Sequence, residues 1–336
     1  MNHVIGLDIG GANLKVAHSD GHCRSRAFPL WKQPEKLAEA IREIIDGWLP
    51  CQALAITMTG ELADCFSTKA EGVARILDSV EEVAGLCGPV LWQTAGEFVP
   101  IDVAREFWQL TAASNWHALA TFVGRAAQED GALLIDIGST TTDIIPLEHG
   151  RPVSVGMNDR ERLESGELVY CGVRRTPLCA LASEIRFRGQ STRLAAEFFA
   201  TTEDVYLLLG DLAEDPTNTE TANGRPATRE AAYDRLVRML CCDRNEVSME
   251  EAIDLARQFA EQQEQRILTA IQQVLERQAL PCRSVILSGS GSFFAERLAN
   301  RHPQLKLATP LKLSTMFSPD IAEAACAFAV ARMAAE

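Results

Sequence analysis

Short apolar runs alternate with helix-like segments along this chain, and the alternation begins at the N-terminus. Apolar and alternating runs predict strands at 3–9, 13–18, 24–30, 53–60 and 89–93. Apolar positions at helical spacing predict helices from Pro34 to about Trp48, at 72–85 and at 112–127. The first part of the chain therefore reads as an antiparallel meander followed by helices and further strands.

The same order of elements starts again near residue 131. Strands are predicted at 131–137, 141–147, 151–155 and before the Ser/Gly run at 288–292, and helices at about 192–210, 228–241, 248–279 and 318–335. The polar segment 213–228 contains Pro, Asn and Gly and is predicted to be a surface loop. Repeating strands and helices in this order indicates a mixed α/β protein with two similar lobes and a ligand cleft between them.

Two segments with one shared pattern account for the repeat. VIGLDIGGANLKVA (4–17) and LLIDIGSTTTDIIPL (133–147) align Asp8 with Asp136 and Gly10 with Gly138. A tight hairpin needs only two turn residues, so these longer turns suit an anion such as phosphate, bound by N–H and hydroxyl groups. The residues predicted to bind phosphate are Gly10, Gly11, Asn13, Gly138, Ser139, Thr140 and Thr141. The alternative is that both are ordinary polar turns, each capped by its own aspartate.

Size and charge narrow the class of protein. The 336 residues predict two domains, here 1–128 and 129–336. The net charge of -14 argues against a nucleic-acid or membrane partner, since both favour a positive surface. No apolar run reaches the length of a membrane span and no charged leader precedes the first strand, so a cytoplasmic protein is expected. The ten cysteines form no C-x-x-C pair, which favours reduced thiols over zinc or disulfides.

Four strings resemble the superfamily of acetate and sugar kinases, 70-kDa heat-shock ATPases and actin. They are GLDIGGANLKVA, LIDIGSTTTDI, ILSGSGSFFAERL and IAEAACAFAVA. The resemblance implies two RNase H-like lobes of the actin and Hsp70 type that flank a central cleft. It also implies a nucleoside- or substrate-binding loop formed by Gly289, Ser290 and Gly291.

Three further strings resemble the hydantoinase/oxoprolinase-related group, and within it the methanofuran-biosynthesis synthases of methanogens and their bacterial relatives in tetrahydromethanopterin-linked one-carbon transfer. They are TMTGELADCFSTKAEGV (57–73), AASNWHALA (112–120) and LESGELVYCGVRRTPL (163–178). The resemblance implies a transferase that joins an aminomethyl-furan-methanol diphosphate to the phenol of γ-glutamyltyramine, or of a tyrosine analogue, and releases diphosphate.

That reaction requires stabilisation of charge on the leaving diphosphate and a base for the phenol. Mg²⁺ held by Asp8 and Asp136, with Lys15 nearby, would stabilise the charge. ATP is a possible cofactor that this reaction does not require. A phenol titrates near pKa ~10, so it needs a base to attack well at neutral pH. Glu61, Asp64 and Asp143 are the candidate bases. For Glu61 and Asp64 the alternative is a solvated helix start, where acids are favoured.

The strings that resemble the synthases also contain candidate substrate-binding side chains: Thr59, Lys69, Asn115, Glu167, Tyr170, Arg174 and Arg175. Arginine is suited to binding carboxylates. His117 is expected to be a packed or solvated histidine, because no second histidine lies at metal-ligand spacing.

Two other functions stay open from the sequence. One is an ATP-dependent kinase or an enzyme like the oxoprolinases, and the other is a nucleotide-gated binding protein. The expected partners are small-molecule substrates, with a homodimer left open.

Overall fold

The computed structural model describes residues 3–85, 87–127 and 131–336 of the chain. Its strands form two six-stranded sheets, one before and one after the gap at 128–130, and a separate two-stranded hairpin. Within the described residues no helix is long and apolar enough to cross a membrane. The predicted boundary between residues 128 and 129 lies outside the described residues.

The first sheet is built from the N-terminal part of the chain. Its strands are β1 (Val4–Ile9), β2 (Asn13–His18), β3 (Cys23–Ala27), β4 (Ala53–Met58), β5 (Gly88–Trp92) and β6 (Phe98–Pro100), in the order β3-β2-β1-β4-β5-β6. The helices of this part are α1 (Leu37–Ile44), α2 (Lys69–Ala84), α3 (Ile101–Glu106), α4 (Trp108–Thr111) and α5 (Asn115–Gly124). All six residues of β1 are buried. A central strand covered on both faces explains the continuous apolar run in the sequence.

The second sheet contains β7 (Gly131–Ile137), β8 (Thr142–Glu148), β9 (Arg151–Pro152), β10 (Leu168–Val169), β13 (Cys282–Ser288) and β14 (Thr309–Lys312), and the hairpin contains β11 (Glu184–Phe187) and β12 (Gln190–Arg193). The helices of this part are α6 (Asp159–Ser165), α7 (Leu178–Leu181), α8 (Thr202–Leu209), α9 (Arg229–Val237), α10 (Met249–Leu275), α11 (Ser292–Arg301), α12 (Leu313–Met316), α13 (Pro319–Glu323) and α14 (Ala325–Ala334). The large core of this lobe lies between the sheet and α8, α9 and α10.

The two sheets repeat one arrangement around their central strands. β1 pairs antiparallel with β2 and parallel with β4, and β7 pairs antiparallel with β8 and parallel with β13. In this register Asp8 lies opposite Lys15, and Asp136 lies opposite Asp143. The internal repeat predicted from the sequence therefore places the two aspartates at equivalent positions.

Two helices cross between the halves of the chain and join the lobes. The last helix, α14, returns to the first sheet, where a Cβ on Gly6 would lie 2.0 Å from the carbonyl oxygen of Ala327. Helix α5 instead packs Trp116 and Leu119 against the second sheet. The chain thus forms two RNase H-like lobes of the actin and Hsp70 type, as the resemblance predicted.

The predicted helix at 192–210 is wrong in its first half. Residues 190–193 form β12 of the hairpin, and the helix α8 begins only at Thr202. Arg188 and Gly189 turn the hairpin with φ values of 49° and 79°. Two successive positive φ values are typical of a two-residue hairpin turn. The exposed strand β12 has no apolar face, so its sequence carries no period-two signal.

The predicted helix at 318–335 is two helices, α13 and α14, which are separated at Ala324. The backbone there leaves the helical region, with φ -101° and ψ 30°.

The edge strands β6 and β14 have only three and four residues. Such short strands give no reliable pattern in a sequence.

Candidate active site

The first predicted phosphate loop connects β1 to β2. The N–H of Gly10 donates to the carbonyl of Asn13 (3.0 Å), and the carbonyl of Gly11 accepts the N–H of Leu30 (3.0 Å). Apart from its chain neighbours, no described atom lies within 4 Å of the position that a Cβ on Gly11 would take. Packing inside the protein therefore does not require a glycine there. The space beside it suits close approach of a ligand to the backbone.

The second predicted phosphate loop connects β7 to β8 and repeats the first turn. The N–H of Gly138 donates to the carbonyl of Thr141 (2.9 Å), and the four residues 138–141 are half-buried. The carbonyl of Ser139 accepts the N–H groups of Arg174 (3.1 Å) and Arg175 (2.8 Å). The segment that follows β10 therefore holds this loop in place.

Contacts across the lobes place the two loops on the same side of the molecule. The guanidinium of Arg175 lies over the indole ring of Trp31, with Cζ 5.3 Å from the ring centroid. The charges of Asp8 and Lys15, from the first lobe, act on the carboxyl of Asp136 in the second. Such coupling requires that the ends of β1 and β7 lie close together.

Asp8 is buried and Asp136 is half-buried at these strand ends. Burial raises the pKa of each to about 6, and the ammonium of Lys15 opposes the rise at both. At Asp136 the carboxylates of Asp143 and Asp8 raise the pKa further. The Oδ1 atoms of Asp8 and Asp136 are buried without a hydrogen-bond partner among the described residues. Two such oxygens fit a divalent cation that takes its remaining ligands from water and phosphate.

Glu61 is buried beside the first loop. It follows Gly60, whose N–H donates to the carbonyl of Ile9 (3.0 Å). Only 1% of Glu61 is exposed. Burial raises its pKa to about 7, against the lowering effect of hydrogen bonds from backbone N–H groups, including its own. Its Oε2 has no hydrogen-bond partner among the described residues. Close by, Lys69 of α2 and Asp159 of α6 form an ion pair between the lobes, with Nζ 3.3 Å from Oδ2.

The sequence matches the hydantoinase/oxoprolinase family over residues 52–336. The chain belongs to this family. The match covers the second lobe and the part of the first lobe from residue 52 onward. It includes Glu61, the second loop and the loop after β13, while the first loop precedes it.

Two similar proteins share one name. The chain is 34% identical over 333 residues to the (4-{4-[2-(γ-L-glutamylamino)ethyl]phenoxymethyl}furan-2-yl)methanamine synthase of Methanocaldococcus jannaschii, a match that covers 98% of this chain and 97% of that relative. It is 35% identical over 172 residues to the protein of the same name from Methanococcus vannielii. That match covers 51% of this chain and 76% of the relative.

Solved structures with little sequence identity share the fold. The nucleotide-free acetone carboxylase, studied for ATP-dependent acetone carboxylation, has a TM-score of 0.57 and 10% identity, over 98% of this chain and 70% of that chain. The PilM-PilN type IV pilus biogenesis complex has a TM-score of 0.51 and 14% identity, over 99% of both chains. At these identities the likeness concerns the fold alone.

The two other candidate bases of this hydantoinase/oxoprolinase-family protein have different surroundings from Glu61. Asp64 is exposed. Asp143 accepts a hydrogen bond from Arg162 (2.6 Å), and that guanidinium lies over the ring of Trp116, with Cζ 4.1 Å from the centroid. Glu61 thus differs from both because it is buried and has a carboxylate oxygen without a hydrogen-bond partner in the part of the chain that the structure describes.

Of the candidate substrate-binding residues, Thr59 and Arg174 lie beside the loops and Asn115 lies at the start of α5. A Cβ on Gly10 would lie 3.6 Å from the hydroxyl of Thr59. The Oδ1 of Asn115 accepts the N–H of the next residue in α5 (2.7 Å). Arg174 forms an ion pair with the buried Glu203. The structure therefore gives Asn115 and Arg174 partners within the protein.

The remaining residues considered from the sequence differ in burial and in hydrogen bonding. They are Glu167, Tyr170 and His117. Glu167 is buried and accepts the N–H groups of residues 155 and 156 (2.8 and 3.1 Å), so it holds that loop. Tyr170 is exposed. His117 is buried and lies 3.2 Å from the indole nitrogen of Trp92, which donates to it. Burial and the nearby Arg162 lower the pKa of His117 to about 4.

The Ser/Gly loop after β13 packs against the end of β7. A Cβ on Gly289, where φ is 85°, would lie 2.6 Å from Oδ1 of Asp136 and 2.2 Å from the carbonyl oxygen of Ile137. The N–H of Gly291 donates to that same carbonyl (2.8 Å), and Ser290 is exposed. Packing against β7 therefore accounts for the glycine at 289, and the loop borders the Asp136 carboxylate.

Sequence reasoning did not identify Gly172 or Asp159. A Cβ on Gly172 would lie 2.5 Å from the carbonyl oxygen of Gly138, so this glycine allows the second loop to be supported from behind. Asp159 follows the helix cap Asn158 and looks like an ordinary helix start. Its pairing with Lys69, ninety positions away, has no local signal in the sequence.

Proposed function

We propose that this protein is a transferase that condenses an aminomethyl-furan-methanol diphosphate with the phenol of γ-glutamyltyramine, or of a tyrosine analogue, and releases diphosphate. The reaction would serve the biosynthesis of a methanofuran-type cofactor for tetrahydromethanopterin-linked one-carbon transfer. The observation that carries the proposal is the 34% identity to the Methanocaldococcus jannaschii synthase, over 97% of that protein.

The diphosphate would bind between the two glycine loops. The open side of Gly11 leaves room for a ligand beside the first loop, and the second loop has a turn of the same form. Lys15 adds a positive charge that acts on both strand-end aspartates. Stabilising the negative charge that collects on a departing diphosphate is the largest contribution that such a site can make.

Asp8 and Asp136 would hold Mg²⁺ at this site. Each has a buried Oδ1 to which no described residue forms a hydrogen bond, and two carboxylates are enough for a cation that keeps several waters. The described residues contain no group of three or more His, Cys, Asp or Glu side chains arranged to hold a metal. When bound, the ion would neutralise charge on the diphosphate oxygens.

Glu61 would accept the proton of the phenol. Its pKa of about 7 suits a base at neutral pH, and burial keeps its free oxygen away from water. The phenol oxygen forms a bond to the furan-bearing CH₂ while the bond from that carbon to the diphosphate oxygen breaks. The electron pair of the broken bond leaves with diphosphate, and the phenol proton passes to Glu61.

Product formation tests the proposal directly. The purified protein is incubated with the furan diphosphate, Mg²⁺ and either γ-glutamyltyramine or tyrosine, and the ether is detected by mass. We expect an ether with one of the two phenols and release of one diphosphate per ether. Absence of any ether with either phenol, in protein that is folded by circular dichroism, would overturn the proposal.

Calorimetry distinguishes the proposal from an ATP-dependent activity. Titration with diphosphate and Mg²⁺ should show millimolar or tighter binding, and ATP should bind more weakly. Tight ATP binding with hydrolysis would instead favour a kinase or an oxoprolinase-like enzyme. Tight ATP binding without turnover would favour a nucleotide-gated binding protein.

A further inference from the structure

We propose that Lys69 and Asp159 are positioning residues for Glu61. Their ion pair joins the lobes at the start of α2, the helix that packs against Glu61, and sets the charge that Glu61 carries when the phenol binds. The inference rests on the proposed function, in which Glu61 accepts the phenol proton. It concerns a contact between lobes, whereas Glu61 itself lies wholly in the first lobe.

The ion pair is a defined contact between two helix starts. Lys69 is the first residue of α2 and Asp159 the first residue of α6, and Nζ lies 3.3 Å from Oδ2. The side chains of Thr68 and Asn158 each accept the N–H of the third residue of the helix that follows. These caps fix where each helix begins, so the backbones of Lys69 and Asp159 have little freedom.

Helix α2 brings the pair next to Glu61. A Cβ on Gly72, in the first turn of α2, would lie 2.1 Å from the carbonyl oxygen of Glu61, so the helix backbone packs directly against this residue. Burial raises the pKa of Glu61 most, the carboxylate of Asp159 raises it further, and the ammonium of Lys69 lowers it. The two members of the pair therefore act on Glu61 in opposite directions.

Other charged side chains of α2, of α6 and of the segment after Glu61 either bind other groups or are exposed. Glu71 of α2 accepts the N–H of Ser67 (2.9 Å), and Glu161 of α6 accepts the N–H of Met157 (3.0 Å). Arg162 is bound to Asp143, and Asp64, three residues after Glu61, is exposed. Lys69 and Asp159 both act on the Glu61 carboxyl through their charges.

Removing one member of the pair should shift the acid limb of the pH profile of kcat/KM in a direction that depends on which member is lost. Asp159→Asn leaves the positive charge of Lys69 unopposed, so the limb should move to lower pH by about half a unit to one unit. Lys69→Gln leaves the negative charge of Asp159 unopposed, so the limb should move to higher pH. The double variant should return towards the native profile.

The experiment measures ether formation from pH 5 to 9 for the native protein, the two single variants and the double variant. A matched control is Lys312→Gln, which breaks the ion pair between Lys312 and Glu296 (2.7 Å) and should leave the limb in place. The conservative variants Lys69→Arg and Asp159→Glu should keep the native limb. A merely structural role would lower the rate at every pH without opposite shifts.

A second readout does not depend on activity. The carboxyl ¹³C resonance that disappears in Glu61→Gln can be titrated in the free native protein and in each variant. Opposite shifts of this titration support the positioning role even if no variant forms ether, in which case the proposed function alone fails. Shifts in the same direction, or none in either single variant, would overturn the positioning role.

Discussion

Arg175 and Trp31 connect the two loops through a contact that lies outside both of them. The Cζ of Arg175 lies 5.3 Å from the centroid of the Trp31 ring. The N–H of Arg175 binds the carbonyl of Ser139, and Trp31 follows Leu30, whose N–H binds the carbonyl of Gly11. The relative position of the loops therefore depends in part on a cation–π contact between the lobes.

Replacing Arg175 by Met should weaken diphosphate binding without unfolding the protein. Methionine keeps an unbranched apolar side chain but removes the charge, and an exposed cation–π contact contributes about 0.5–1 kcal/mol. We expect the affinity for diphosphate, measured by calorimetry with Mg²⁺, to fall about two- to fivefold. Arg188→Met is the matched control. It removes a cation–π contact in the hairpin, where Cζ of Arg188 lies 4.7 Å from the centroid of the Phe187 ring. Equal affinity in native protein and Arg175→Met would contradict this role.

Gly11 and Gly172 should respond differently to replacement by Ala. A Cβ on Gly11 meets open space, whereas one on Gly172 would lie 2.5 Å from the backbone of the second loop. Gly11→Ala should therefore leave the free energy of unfolding within about 0.5 kcal/mol of native. It should nevertheless weaken diphosphate binding about tenfold or more, since the methyl group occupies the space for the ligand.

Gly172→Ala should destabilise the folded protein as well. Forcing a methyl group against the loop backbone costs about 1–3 kcal/mol, and a displaced loop should also bind diphosphate less tightly. Denaturant unfolding gives the stability of both variants, and calorimetry gives their affinity. If Gly11→Ala binds diphosphate as tightly as the native protein, the first loop does not contact the ligand.

The equivalent positions of the two aspartates could be predicted from the sequence because the signals are local and occur twice. Each follows an apolar strand and precedes a glycine, and the structure confirms the equivalent register of Asp8 and Asp136. Glu61 could be named because it follows a buried strand. Its Oε2, however, has no hydrogen-bond partner among the residues at 3–85, 87–127 and 131–336, and this depends on how α2 packs, which only the folded chain shows.

Contacts between distant segments had no such signal. The pairs of Lys69 with Asp159 and of Arg175 with Trp31 join residues from different lobes, and nothing near either residue indicates its partner. The hairpin turned by Arg188 and Gly189 was equally hidden, because its exposed strand has no alternating apolar positions. Local pattern therefore predicts strand ends and loops well, while the assembly of the site depends on tertiary packing.

Asp8→Asn and Asp136→Asn should each abolish ether formation and leave the fold intact. The amide keeps the shape of the side chain but cannot provide a charged oxygen for a cation. Because each change removes a carboxylate whose buried Oδ1 has no partner in the described part of the chain, the free energy of unfolding without metal should be unchanged or higher, within about 2 kcal/mol.

Mass detection of the ether and denaturant unfolding check the two parts of this prediction. Asp254→Asn, at an exposed position on α10, is the control and should turn over normally. Normal turnover in both loop variants would mean that Asp8 and Asp136 do not hold the metal.

Glu61 should make both activity and stability depend on pH near neutrality. Its pKa is raised from 4.5 to about 7 in the folded protein, so the folded state binds the proton more tightly than the unfolded chain does. Below pH ~4.5 the group is protonated in both states and its stabilising contribution is fully present. As the pH rises from there through about 7, this contribution is lost, at a cost of about 3 kcal/mol.

Glu61→Gln should therefore flatten the fall in the free energy of unfolding over this pH range, measured by denaturant unfolding at a series of pH values. The same variant should lose the acid limb of kcat/KM and react about 10²- to 10⁴-fold more slowly, because the phenol has lost its base. Glu106→Gln, at an exposed position in α3, should change neither curve. A native acid limb in Glu61→Gln would assign the proton transfer to another group, even if the stability curve flattens as expected.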